Sequence, residues 1–262
     1  MDLLQALILG IIQGLTEFLP VSSSGHLELG AALFSLKEEN LTFSIIVHGA
    51  TFLSVLVVFR QDIFQIIYSL VRFRWDDETK YLLLLILSAI PVGVVGLLFK
   101  DNIEGLFEGR IAFVGAMLLV TALLLFLTRF APKKSGKINA KNAIIIGFAQ
   151  TLAVLPGISR SGATISTALY LGVDRERAAR FSFLMVLIPI FGASFLEVLS
   201  LYNAQEPSSL STGALIVGAV AAFVSGLFAC SSMIQIVKKG KLVWFAAYCA
   251  IVGVVSILIY TV

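Results

Sequence analysis

Two stretches carry chemistry-bearing side chains into an otherwise oily chain. Residues 10–27 read GIIQGLTEFLPVSSSGHL and hold Gln13, Glu17, Ser22, Ser23, Ser24 and His26. Residues 147–164 read GFAQTLAVLPGISRSGAT and hold Ser159, Arg160 and Ser161. An ionisable side chain at membrane depth costs about 2.5–3.5 kcal/mol on insertion scales, so Glu17 and Arg160 point to function. Each stretch ends in a helix start rich in serine and glycine, SSSGH and SRSG. A helix N-terminus offers unpaired N–H groups and a positive dipole end, which suits a phosphate. Gly25 and Gly162 let the backbone approach such an anion closely. The hydroxyls of Ser22, Ser24, Ser159 and Ser161 flank it, and Arg160 adds a planar fork that matches phosphate oxygens. Facing each other, the two starts would clamp a phosphorylated group from both sides.

Gln13 and Glu17 are four apart and share a helix face. They offer hard oxygen ligands for Mg²⁺ or Ca²⁺, a weak pair that a diphosphate would complete. Plainer readings stand beside these. Glu17 and Arg160 can be a buried structural ion pair, His26 a helix cap, and the serines ordinary caps. His48, between apolar neighbours, reads as a packed or hydrogen-bonded core residue, and Glu197 as a group near a span end.

The elements that position these residues follow from composition and charge. Of 262 residues, 58% are hydrophobic and 13% charged, where a soluble domain carries about a quarter charged residues. A polytopic membrane protein is expected. No base lies in residues 1–19, and Asp2 stands where Lys or Arg would open a signal peptide, so none is expected. Cys230 and Cys249 fall in apolar runs and read as small packing residues rather than a disulfide.

Fifteen of the nineteen Lys and Arg residues form four clusters: Arg60, Arg72, Arg74 and Lys80; Arg129, Lys133, Lys134, Lys137 and Lys141; Arg175, Arg177 and Arg180; Lys238, Lys239 and Lys241. The positive-inside rule places all four in the cytoplasm. Spans near 42–60, 81–99, 111–130, 180–202, 212–236 and 242–261 satisfy that alternation. Residues 142–173 must return to the side they leave, and their two short apolar pieces are broken by LPGISRSG. That predicts a re-entrant hairpin, tolerated where irregular backbone faces protein or a water-filled cavity. Residues 2–34, broken by FLPVSSSGH, predict a second one, dipping in from the opposite side.

Gly10, Gln13, Leu15, Ser22, Ser24 and Gly25 recur as Gly147, Gln150, Leu152, Ser159, Ser161 and Gly162 at an offset of 137, six identities in sixteen positions. Each half is then one hairpin followed by three spans. Because three is odd, the halves insert with opposite orientation. The expected fold is an all-α polytopic membrane protein with six transmembrane helices plus two re-entrant helical hairpins in an inverted-topology repeat. It is one domain, 1–262, with halves of about 1–130 and 138–262. Both termini are expected outside the cytoplasm, with the site opening outward.

QGLTEFLPVSSSGH and LPGISRSGATIS resemble the two signature stretches of the bacterial undecaprenyl pyrophosphate phosphatases, also called bacitracin-resistance proteins. The resemblance runs the length of the chain in hairpin order and span count. It implies removal of the terminal phosphate from the C55 lipid diphosphate, regenerating the monophosphate carrier for envelope polymers. It maps the first motif, Glu or Gln, three residues, then Glu, onto Gln13 and Glu17. The essential histidine and arginine fall on His26 and Arg160, and motif serines on Ser22, Ser23, Ser159 and Ser161; Ser24 stands where relatives often have Thr. The phosphatidic-acid-phosphatase type also contains Ser-Gly-His but needs an Arg-Pro, which this chain lacks. After Ser159–Arg160, that type's His and Asp positions hold Ser166 and Tyr170.

The expected mechanism is metal-assisted phosphoryl transfer. Glu17 and Gln13 hold a divalent cation, while Arg160 and the second loop's N–H groups neutralise the transferred phosphoryl. Ser23 is the favoured nucleophile with His26 as base or acid; His26 attacking directly, or activating water, also fits. The expected partners are a polyprenyl diphosphate and membrane lipids, not nucleic acid, and a homodimer is compatible with the sequence. The competing class is a polyprenyl-phosphate flippase or anion transporter, which inverted repeats also build. A passive anion path needs donors but no carboxylate beside the phosphate, and Glu17 argues against it.

Overall fold

The computed structural model describes residues 1–34, 36, 41–99, 110–132, 135–193 and 210–261. Among them the chain is helical, with an isolated bridge between Gly136 and Val173. A first hairpin consists of α1 (Leu3–Phe18) and α2 (Ser23–Leu33). Then come α3 (Leu41–Val58), α4 (Arg60–Val71), α5 (Asp77–Leu98) and α6 (Ile111–Leu127). A second hairpin, α7 (Ala140–Leu152) and α8 (Arg160–Tyr170), leads to α9 (Arg175–Met185), α10 (Thr212–Lys238) and α11 (Leu242–Thr261). Four helices, α5, α6, α10 and α11, are long and apolar enough to cross a membrane, and α3 with α4 makes a fifth if the bent pair is one span.

Local chemistry sets the boundaries. Asp2 and Gln5 cap α1 reciprocally, each side chain accepting the other's backbone N–H. Pro20 follows Leu19, which is extended (ψ 143°), so α1 cannot continue. Pro156 and Gly157 break the second hairpin, with Gly157 at φ 96°. A Cβ there would lie 2.4 Å from the Val114 carbonyl oxygen, so both the turn and the tight approach to α6 require glycine.

Two elements differ from expectation. Between the spans near 42–60 and 81–99, where no further helix is expected, the chain bends by 77° from α3 into α4. Asp62 on α4 pairs with Arg180 on α9, and Ile66 and Ser69 face inward, so tertiary contacts hold a helix across the bend. The span placed at 180–202 begins earlier, at Arg175, and is interrupted at Val186 before helix resumes over 187–193. Pro189 explains the break, because it has no N–H to donate to the Met185 carbonyl. The rest of that span, Glu197, Lys133 and Lys134 lie outside the described residues.

In lipid, moving an apolar side chain from bilayer to helix interface gains little, so close packing of small residues carries helix association. Gly10 sits where α1 crosses α10: a Cβ there would lie 2.4 Å from the Gly218 carbonyl oxygen. At the repeat-matched position, Gly147 sits where α7 crosses α5, and its Cβ would lie 2.5 Å from the Ser88 carbonyl oxygen. The third pair, α6 and α11, meets at Gly115 and Gly253. Between these contacts, Phe18, Leu118, Ile146, Ile165, Phe181 and Phe183 form a fully buried core around the hairpin loops. Phe228, Trp244 and Ile251 point outward, as side chains matched to lipid do.

Candidate active site

Both hairpins end in the same local device. Ser22 caps α2, its Oγ accepting the Gly25 N–H at 3.3 Å. Ser159 caps α8, its Oγ accepting the Gly162 N–H at 3.1 Å. The next hydroxyl lies beside each cap, Ser24 by Ser22 (3.4 Å) and Ser161 by Ser159 (3.3 Å). Ser22 holds φ 70°, a left-handed conformation that costs a non-glycine residue about 1–3 kcal/mol and marks a functional loop in many proteins.

The loops meet. A Cβ on Gly25 would stand 3.3 Å from Gly157 Cα, and one on Gly162 would stand 3.4 Å from Pro20 Cβ. Ser161 Oγ donates to the Leu19 carbonyl at 3.2 Å. Arg160 Nη2 reaches Glu17 Oε1 at 2.6 Å, with side chains 14% and 7% exposed. Its Nη1 donates to the Ser182 carbonyl on α9 at 3.4 Å. The other carboxylate oxygen, Glu17 Oε2, accepts from Ser23 Oγ at 2.7 Å and from Gln13 Nε2 at 3.2 Å. Residues from three elements therefore converge on one carboxylate.

Ser23 is thus oriented on Glu17. His26, expected as its partner, is engaged elsewhere: Nδ1 bonds the Ser22 carbonyl at 2.8 Å and Nε2 the Tyr248 hydroxyl at 2.8 Å. The reason is helical geometry. Ser23 opens α2 next to the end of α1, while His26 stands a turn further along and folds back on the carbonyl four residues earlier. Since a carbonyl only accepts, Nδ1 carries the ring proton and Nε2 is the working atom.

Several residues come to the site that sequence reasoning placed elsewhere or did not single out. His48 is more than a core residue: its Nδ1 donates to the Ser44 carbonyl at 2.9 Å, and its Nε2 lies 4.0 Å from Glu17 Oε2. Thr121 on α6 buttresses the second loop, donating to the Gly157 carbonyl at 3.0 Å and accepting the Ser159 N–H at 2.9 Å. On α11, Cys249 Sγ reaches the Pro20 carbonyl at 3.6 Å, beside Tyr248. Cys230 and Cys249 are both buried thiols. A histidine in an apolar span was the visible signal for His48; Thr121 and Tyr248 carry none.

Compared with known families, residues 6–255 match the family model described as Bacitracin resistance protein BacA. The chain belongs to the BacA family. A curated relative from Christiangramia forsetii, named undecaprenyl-diphosphatase, is 54% identical over 98% of each chain. One of the same name from Bacteroides fragilis is 51% identical over 99% of this chain and 98% of its own. At greater distance, another from Halothermothrix orenii is 40% identical over 99% and 98%. With this family and its long apolar helices, the chain is a multi-pass membrane protein.

Proposed function

We propose that this BacA-family chain hydrolyses undecaprenyl diphosphate to the monophosphate and inorganic phosphate, recycling the lipid carrier of peptidoglycan and other envelope polymers. The observation that carries the reading is the junction of both hairpins on Glu17, with Arg160 from one side and Ser23 from the other. The names of the relatives supply the substrate class.

In the resting site, Glu17 occupies Arg160 much as a phosphate oxygen would. An entering diphosphate competes for the guanidinium and for the N–H groups at the starts of α2 and α8, while its isoprenoid tail stays in lipid. Ser22, Ser24, Gly25, Ser159, Ser161 and Gly162 shape that cradle. Ser23 Oγ then attacks the terminal phosphorus and passes its proton to Glu17 Oε2, on which it already rests. The Oγ–P bond forms, the bridging P–O bond breaks, and undecaprenyl monophosphate leaves. Water hydrolyses the phosphoserine, with His26 Nε2 taking the water's proton and Glu17 returning its own to the departing Ser23 Oγ. Arg160 neutralises the charge that builds on the transferred phosphoryl, an effect worth about 10³–10⁵ in rate where an arginine plays this part.

The residues fit a divalent cation, Mg²⁺ or Ca²⁺, in a limited way. Gln13 is fully buried, and its Oε1 has no hydrogen-bond partner, an oxygen left over beside the Glu17 carboxylate. Gln13 and Glu17 would hold the ion, which would supply further neutralisation of the diphosphate. Among the described residues no group of three or more His, Cys, Asp or Glu is placed to hold a metal, so substrate oxygens complete the set.

The two halves, about 1–130 and 138–262, form an inverted-topology repeat of a re-entrant hairpin and three spans each, in the plasma membrane with both termini outside the cytoplasm. The matched crossings of α1 with α10 at Gly10 and of α7 with α5 at Gly147 support it. The site opens outward on this reading. Phosphate release from C55 diphosphate in detergent, with and without Mg²⁺ or Ca²⁺, is the test. Detergent leaves no second compartment, so release separates hydrolysis from transport. Folded protein that binds the lipid but releases no phosphate would leave a flippase.

A further inference from the structure

Resting on that reading of the site, we propose that Tyr248 is a displaceable latch on His26: its hydroxyl donates to the working Nε2 atom until a protonated oxygen (P–OH) of the substrate's terminal phosphate takes its place as donor. Three observations combine. First, His26 has one ring nitrogen that is not tied to its own helix. Nδ1–H is committed to the Ser22 carbonyl at 2.8 Å, so Nε2 presents a lone pair, and the Tyr248 hydroxyl donates to it at 2.8 Å. Second, the rings lie nearly parallel, with centroids 5.6 Å apart and planes inclined by 14°, so the Tyr248 ring packs beside the imidazole. Third, Tyr248 is 44% exposed. A ring so exposed can rotate outward.

The backbone beneath it stays put. The next residue, Cys249, is fully buried with its thiol on the Pro20 carbonyl, and α11 packs along α6 through Gly115 and Gly253. Opening is therefore a side-chain rotation of Tyr248, not a shift of the helix. It spends one hydrogen bond, whose net worth is about 0.5–1.5 kcal/mol. That cost is taken from substrate binding. Tyr248 does not touch the reacting atoms on this account; it acts through His26 and is a positioning residue.

Tyr248→Phe keeps the packed ring and removes the hydroxyl. The probe is a polyprenyl methylenediphosphonate, whose P–C–P bridge resists cleavage, titrated onto full-length detergent-solubilised protein. The variant is expected to bind the probe about 2- to 10-fold more tightly than the wild type. In a His26→Ala background, the same Tyr248→Phe change is expected to leave the dissociation constant unchanged. Tyr248→Ala, which also removes the ring packed beside the imidazole, is expected to lower kcat, while Tyr248→Phe lowers KM with kcat nearly retained. Unchanged or weaker binding by Tyr248→Phe, or equal tightening in both backgrounds, would overturn the latch. Thermal unfolding matching the wild type excludes misfolding as the cause. Wild-type protein that fails to bind the probe at all would instead refute the diphosphate reading of the site, so the two failures are separable.

Discussion

Removing Arg160 should harm the protein twice, and the two effects can be separated. The Glu17 carboxylate is 7% exposed, and Arg160 Nη2 at 2.6 Å is its cation. In Arg160→Ala the carboxylate keeps its donors from Ser23 and Gln13 on Oε2, but Oε1 loses its charge partner. Breaking a buried pair in this way costs about 3–5 kcal/mol, because the remaining charge is stranded, whereas removing both charges together is often close to neutral. Glu17→Gln with Arg160→Leu should therefore recover most of the stability lost in Arg160→Ala. Activity should not follow. Loss of the guanidinium removes transition-state stabilisation worth about 10³-fold or more, so single and double variants should both fall at least that far in kcat. Stability is read by unfolding in detergent, and activity by phosphate release from the C55 diphosphate. A double variant as unstable as the single one would refute mutual charge compensation. An Arg160→Ala enzyme within tenfold of wild type would remove Arg160 from the phosphate.

Four further outcomes follow from particular contacts. Gly147→Ala places a Cβ 2.5 Å from a backbone oxygen of α5 and should destabilise by about 1–3 kcal/mol as overpacking does; Gly49→Ala, with nothing within 4 Å, should be neutral or slightly stabilising in the same unfolding assay. Thr121→Val strands the Gly157 carbonyl and the Ser159 N–H, costing about 1–3 kcal/mol, and phosphate release should fall with it. Asp76, between α4 and α5, has its carboxyl held below the ordinary range by the Thr79 N–H and then the Ser69 hydroxyl. Its folded value lies under its unfolded one, so its stabilisation is complete above about pH 4 and is lost as pH falls through the folded value. The stability difference between wild type and Asp76→Asn should stay constant from about pH 5 to 8 and shrink on further acidification, and a difference that grew there would reverse the assignment. A reporter that works only in the cytoplasm, fused after residue 262, should stay silent, and strong signal would remove the inverted repeat.

Much of the architecture was legible in the residues because a bilayer leaves few choices. Apolar runs long enough to span it became α3, α5, α6, α10 and α11 close to the expected places. Pro20 and the Pro156–Gly157 pair broke the hairpins where proline and glycine must, and Ser22 and Ser159 capped the following helices as their spacing indicated. The expense of Glu17 and Arg160 in lipid was enough to single them out, and the structure joins them. What the linear chain could not determine is which neighbour each group takes. Ser23 and His26 are three apart, yet one turns to Glu17 and the other to Tyr248, 222 positions away. Thr121 reaches the second loop, and His48 comes beside Glu17, through packing between elements remote in sequence. Spacing along a helix specifies which face a side chain shares. The partner met on that face is set by how helices cross, and those crossings depend on backbone approaches such as Gly10 to Gly218 and Gly147 to Ser88, which exist only once both helices are in place.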